Sequence, residues 1–184
     1  MLLTQAITTE HLTLSNLRPE QAQLLQRYLL DNRQHLAPWE PVRTDAYFDI
    51  TQCEERLYQQ FQQMQHGNGL FLAIMCDEKM IGVCNFSNIV RGVFQACHLG
   101  YAIAHTHQGK GLMSEALTAA IQYMFERENL HRIMANYMPD NIRSAAVLER
   151  LGFEKEGYAK AYLKINGQWR DHVLTSLINP TATN

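Results

Sequence analysis

Residues 101–121, YAIAHTHQGKGLMSEALTAAI, constrain the fold more than any other stretch. An apolar, strand-like run ends in Gln108-Gly109-Lys110-Gly111 and passes at once into the strongest helical pattern of the chain. Met113, Leu117, Ala120, Ile121 and Met124 fall at i, i+4, i+7, i+8 and i+11, one continuous face. A strand that turns straight into such a helix points to a layered mixture of sheet and helix. The two glycines let the backbone approach a ligand and turn its N–H groups inward. The first helical turn adds unpaired N–H donors and the positive end of a dipole. A phosphate or pyrophosphate suits that place; an ordinary tight strand-to-helix turn is the other reading.

The remaining elements follow from periodicity and breakers. HLTLSNLR (11–18) alternates like a strand, and Pro19 opens a helix to about Leu36. APWEPVR (37–43) carries two prolines and reads as a loop. A second helix is expected from Ile50 to Gln65, before Gly67 and Gly69. Segments 69–77, 79–87 and 94–104 read as three consecutive strands of an antiparallel meander. After the long helix come a strand at 132–138 and a short helix at 141–152, closed by Gly152. Two last strands, about 154–165 and 169–178, flank a turn at Asn166-Gly167. The order β-α-α-β-β-β-α-β-α-β-β predicts an α+β (mixed α/β) fold with helices covering the sheet. With no repeat or Gly/Ser linker, one domain over 1–184 is expected, its core at about 9–178.

Composition excludes several classes of function. The chain has 184 residues, 46% hydrophobic and 18% charged, which is enough apolar material for a real core and rules out pervasive disorder. A formal net charge of -2 argues against an electrostatic nucleic-acid binder, which needs a basic surplus. The first residues lack a basic run, and the longest apolar stretch, Leu70 to Cys76, is too short to span a bilayer. No export signal and no membrane association are therefore expected. Cys53, Cys76, Cys84 and Cys97 form no CxxC pair and read as reduced thiols of a cytoplasmic protein. There is no HExxH, and His105-x-His107 alone is a weak metal signal, so no metal is expected. The triphosphate P-loop and the G-x-S-x-G elbow are missing. The glycines read G-x-G-x-x-S, a near miss to the dinucleotide fingerprint, but they follow a meander rather than the first strand of a parallel series.

The turn HQGKG, the LMSEAL helix start and N-x-x-S-x-x-x-L-E-R-L-G-F (141–153) resemble the GNAT family of N-acetyltransferases. PWEPVR (38–43), NFSNIVRG (85–92), HRIMANYMP (131–139), GFEKEGYAK (152–160) and GQWRDHV (167–173) are similar to its Rim-type subgroup, which acetylates ribosomal-protein N-termini. The resemblance implies a mixed, mostly antiparallel seven-stranded sheet with about four helices. It implies acetyl-CoA as co-substrate and the N-terminal α-amine of a ribosomal protein, alanine first, as acceptor. Ribosome association belongs to the same expectation; monomer and homodimer both stay open. The family's Q/R-x-x-G-x-G/A loop cradles the CoA pyrophosphate, which assigns Gln108, Gly109, Lys110, Gly111, Leu112 and Met113 to cofactor binding. Its first position is Thr106 here, a change that a cradle of backbone N–H groups tolerates. Leu99, Tyr101, Ala102 and Ile103 are expected to offer backbone groups to the pantetheine arm and the thioester. Asn141 and Ser144 are expected against CoA.

Acetyl transfer to an amine needs a polarised carbonyl, a neutral amine, oxyanion donors and help for the departing thiolate. An α-amine titrates near pH 8, so about a tenth is neutral at pH 7 and a modest base suffices. The aligned base position is His98, with Glu40 and water as alternatives. Many family members place a tyrosine acid four residues after Ser144; here that residue is Leu148, so Ser144 becomes the candidate acid. Trp39, with Glu40 in the proline loop, is expected to line the acceptor cleft; Tyr137 and Trp169 are further candidates. No covalent intermediate is expected, because Cys97 should point to the sheet face opposite His98. Two rivals remain: acetylation of a small amine such as a polyamine or aminoglycoside, and a non-catalytic CoA-binding ribosome-assembly factor.

Overall fold

The computed structural model describes residues 2–3 and 5–181. Met1, Thr4 and 182–184 lie outside the described residues, and with them the ends of the expected domain span and part of the segment read for a leader.

Among the described residues, eight strands form one sheet. They are β1 (Ile7–Thr8), β2 (Thr13–Ser15), β3 (Leu70–Cys76), β4 (Lys79–Val90), β5 (Ala96–Ile103), β6 (Arg132–Tyr137), β7 (Glu154–Ile165) and β8 (Gln168–Ile178). Their order across the sheet is β1-β2-β3-β4-β5-β6-β8-β7, and only the β5/β6 pair is parallel. The expected meander is β3-β4-β5. The expected seven strands become eight because Ile7–Thr8 pairs back on Thr13–Leu14. A bulge between Ser87 and Val90, with Asn88 at φ 51°, carries β4 three residues past its expected end.

Five α-helices among the described residues flank the sheet: α1 (Ala22–Asp31), α2 (Arg33–Leu36), α3 (Ile50–Gln65), α4 (Leu112–Glu126) and α5 (Ile142–Arg150). The helix expected from Pro19 to Leu36 is three pieces: a 3-10 turn at Pro19–Gln21, α1 and α2. The break falls at Asn32. Its buried side chain donates to Tyr28 O at 2.8 Å and accepts from His105 N at 3.1 Å, and that long-range bond overrides helix continuation. One core cluster packs α4 and Leu148 of α5 on Leu72, Ile74, Cys97 and Ile133. The other packs α1 and α3 on Ala73, Met80 and Ala104. The sheet thus has helices on both faces, and β5 lies at its centre, next to its one parallel neighbour.

Candidate active site

The glycine turn follows β5 through a short 3-10 turn, His105–His107. Gly109 and Gly111 take φ of 72° and 80°, the left-handed region that glycine enters without steric cost. Gly111 is the N-cap of α4, and no side chain caps that helix. A Cβ on either glycine would meet nothing within 4 Å, so the turn is an open bowl beneath free helix N–H groups. Gln108 is held from both sides: its Oε1 accepts from Arg143 of α5, and its Nε2 lies 3.1 Å from His35 Nε2 of α2. Burial, outweighing a bond to the Ile103 backbone, lowers the His35 pKa. His107 is lowered by burial, then by Lys110 and Lys79.

Beside the bowl the sheet opens. β5 and β6 pair over three rungs only, from Ala96↔Arg132 to His98↔Met134. Beyond His98 the two strands part. Ala104 N donates to Ile81 O at 2.7 Å, and this fixes the alternation along β5. Gly100 and Ala102 direct their backbone groups to β4, whereas Tyr101 and Ile103 turn theirs to the gap.

A cavity of about 170 Å³ fills the parting. Tyr101, Tyr137, Asn141 and Ser144 line it on the α5 side; Trp39, Asn136 and His172 line it from elsewhere. Asn136 and His172 fall on the sheet face opposite Tyr137 and Val173, by alternation along β6 and β8. The cavity therefore communicates with both faces. No carboxylate is among the side chains that line it.

Asn141 caps α5, its Oδ1 accepting from Ser144 N at 3.1 Å, so Ser144 sits in the first helical turn. The Tyr101 hydroxyl lies 2.7 Å from Ser144 Oγ and 3.2 Å from Ser144 O. Burial, against the bond to Ser144, pushes the Tyr101 pKa up to about 12, so the phenol keeps its proton. Leu148 is buried in the core, 1% exposed, away from any role in proton transfer. Cys97 is also buried; burial pushes its thiol up to about 12, which leaves it a poor nucleophile.

The structure gathers Leu99, Tyr101, Asn141, Ser144 and Trp39 at one cavity, with Tyr137 among its walls. Other expected residues fall outside it. His98 lies on the last paired rung of β5, opposite Ser87 and Met134. Its Nδ1 is buried without a partner, and its ring does not line the cavity. Glu40 lines a different cavity with Arg33, Arg43 and Phe48, and its Oε2 is 3.6 Å from Arg43 Nε. Its backbone O accepts from Asn166 N at 2.8 Å, which ties the 37–43 loop to the β7-β8 turn. Trp169 is 64% exposed and lines neither cavity. Sequence reasoning missed Asn136 and His172, and it gave Tyr101 a backbone role only. Periodicity carries no signal for such contacts; the one available hint is the RDH stretch at the end of the resemblance. Among the described residues no three His, Cys, Asp or Glu side chains are grouped to hold a metal.

Comparison with known proteins fits this geometry. Residues 11–154 match the Acetyltransferase (GNAT) domain family. The chain is 51% identical over 179 residues to the [ribosomal protein uS5]-alanine N-acetyltransferase of Escherichia coli, covering 96% of this chain and 92% of that one. The ribosomal-protein-S5-alanine acetyltransferase of Vibrio fischeri superposes with a TM-score of 0.93 at 42% identity, over 98% and 100% of the two chains. Mycobacterium smegmatis RimJ, solved in complex with CoA-disulfide, gives 0.88 at 30% identity over 94% and 84%. A glycine bowl at an uncapped helix, a strand parted from its parallel neighbour and these relatives lead to one conclusion: the chain is an N-acetyltransferase of the GNAT family.

Proposed function

We propose that the protein transfers the acetyl group of acetyl-CoA to the N-terminal α-amine of a ribosomal protein, with alanine as first residue, by direct attack in a ternary complex. The observation that carries this reading is the parting of β5 from β6, open to both faces beside the glycine bowl. One face offers helix N–H groups and Lys110 to a pyrophosphate. The backbone of Tyr101, turned to the gap, suits an extended pantetheine arm as a strand suits a peptide. Leu99, Ala102, Gln108, Leu112 and Met113 frame the same path, and Asn141 and Ser144 meet its thioester end. The other face, beneath Trp39, takes the acceptor. The names of the Escherichia coli and Vibrio fischeri relatives supply the alanine and the ribosomal protein. The carboxylate-free cavity favours a protein N-terminus over a polyamine, whose charges call for acidic walls. Residues 9–178 form the catalytic domain in this reading, acting in the cytoplasm and in passing association with ribosomes or their free proteins. No helix among the described residues is long and apolar enough to cross a membrane.

Catalysis then rests on position and hydrogen bonding. The neutral amine attacks the thioester carbonyl, and the departing sulfur meets Ser144 and the N-terminus of α5. The test is intact-mass analysis of ribosomal-protein N-terminal peptides with acetyl-CoA. Peptides beginning with Ala should gain one acetyl group fastest, Ser next, and lysine side chains slowly. Should spermidine win by about tenfold in kcat/KM, the proposed acceptor is wrong although the acetyltransferase stands.

A further inference from the structure

We infer that His172, through Nε2, is the general base that takes the proton from the attacking amine. The inference rests on the ternary-complex reading above and goes beyond it by assigning the proton's destination.

Hydrogen-bond accounting fixes the tautomer. His172 Nδ1 lies 3.1 Å from Arg170 O. A carbonyl oxygen only accepts, so Nδ1 carries the hydrogen and Nε2 keeps its lone pair. Nε2 has no hydrogen-bond partner among the described residues and is not among the sealed, unpartnered atoms. The residue is 4% exposed yet forms part of the cavity wall, and the Tyr162 ring packs on its ring with centroids 5.4 Å apart. A backbone carbonyl and an aromatic neighbour thus hold an imidazole in one orientation, with its basic nitrogen free at the reaction cavity. This is the arrangement in which a second group orients a base. His98, the base position suggested by resemblance, lacks both features: its Nδ1 is sealed and its ring is away from the cavity. Asp171, its neighbour along β8, is engaged by Tyr158 and Ala161 N, and Arg170 by Asp140; Tyr137 and Tyr162 are the phenols around His172.

The step balances without a further reactant. The amine nitrogen's lone pair forms the C–N bond, and the carbonyl π pair moves to oxygen. The nitrogen, now positive, loses a proton to His172 Nε2. The carbonyl reforms, the C–S bond breaks with its pair on sulfur, the thiolate takes a proton from solvent, and His172 returns its own to solvent. The products are the N-acetyl amide and CoA thiol.

The experiment compares wild type with His172→Gln and His172→Ala, using whichever amine the wild-type enzyme accepts from the peptide and spermidine panel. A wrong acceptor therefore leaves the test of His172 intact. Glutamine retains an amide donor for Arg170 O and has no base. Both variants should lose about a hundredfold in kcat, with the KM for acetyl-CoA unchanged and melting near wild type for His172→Gln. Added imidazole should restore activity to His172→Ala in proportion to its free-base concentration, and should not help wild type. Wild-type kcat in His172→Gln would overturn the assignment. So would activity that glutamine restores and imidazole does not, because that pattern marks a purely structural ring.

Discussion

Replacing Tyr101 with Phe removes one oxygen and leaves the ring, the strand and every backbone group of β5 in place. That oxygen sits 2.7 Å from Ser144 Oγ and 3.2 Å from Ser144 O. A phenol has a single hydrogen, and the shorter contact is to Oγ. That hydrogen serves Ser144 O, which only accepts, or Oγ; in either case the 2.7 Å contact fixes Ser144 Oγ at the cavity wall, where the departing sulfur is proposed to lie. The structural cost is one partly buried hydrogen bond, about 1 kcal/mol, or a fall in Tm of about 2–4 °C for a chain of this size. The catalytic cost follows from the role proposed for Ser144. A hydrogen bond to a developing thiolate is charge-assisted and worth about 1.5–3 kcal/mol. Losing its orientation should lower kcat by about tenfold to a hundredfold. The KM for acetyl-CoA should stay near wild type, because backbone groups supply the arm's contacts. Ser144→Ala should behave alike, and the double variant should be no slower than Ser144→Ala alone, since Tyr101 acts through Ser144. The assay is thiol release at saturating acetyl-CoA, with melts run alongside. Wild-type kcat in Tyr101→Phe, or fully additive losses in the double variant, would refute the reasoning.

Two further outcomes are expected. Gly111→Ala and Gly92→Ala place a Cβ in open space at nearly equal φ, 80° and 75°, so each should lose about 1–2 kcal/mol of stability. Only Gly111→Ala should weaken CoA binding by calorimetry; equal affinities would remove the phosphate bowl. The second concerns Glu115, which accepts from Thr9 Oγ1 (2.5 Å) and His11 N (2.8 Å) and lies 3.0 Å from His11 Nδ1, holding the β1-β2 hairpin to the start of α4. Burial raises the Glu115 pKa, but these bonds outweigh it and lower it, while the bond to Glu115 raises His11. The Glu115 contribution is present above the ordinary carboxylate range. That of His11 is complete below about pH 6.5 and is lost as pH rises through its raised value. As pH rises above about 6.5, wild type should therefore lose stability relative to His11→Gln; parallel melting curves would refute this.

Much of the fold was readable because it is local. Ile50–Gln65 matches its expected span, and β7 and β8 meet at the expected Asn166-Gly167 turn. The glycine turn and the Asn141 cap are equally local, since a positive φ and a cap are written in a few adjacent residues. What failed was decided at a distance. Asn32 breaks a helix for a partner 73 residues away, His105 N. Tyr101 reaches Ser144 across 43 residues, a contact that depends on strand register and helix placement together. His172 becomes a wall of the cavity only because β8 lies between β6 and β7, an order that no stretch of sequence declares.

The parting of β5 from β6 leaves a mark that amide exchange can read. One flank of β5 is laddered to β4 along its length, and the other is unmatched after His98. Protection should therefore alternate within a single strand: the amides of Gly100 and Ala102 slow, those of Tyr101 and Ile103 fast. An occupant lying along the parting would act as a ninth, non-protein rung and even out that alternation. The sheet is in this sense incomplete by one partner, and deuterium uptake at two residues would report when the partner arrives.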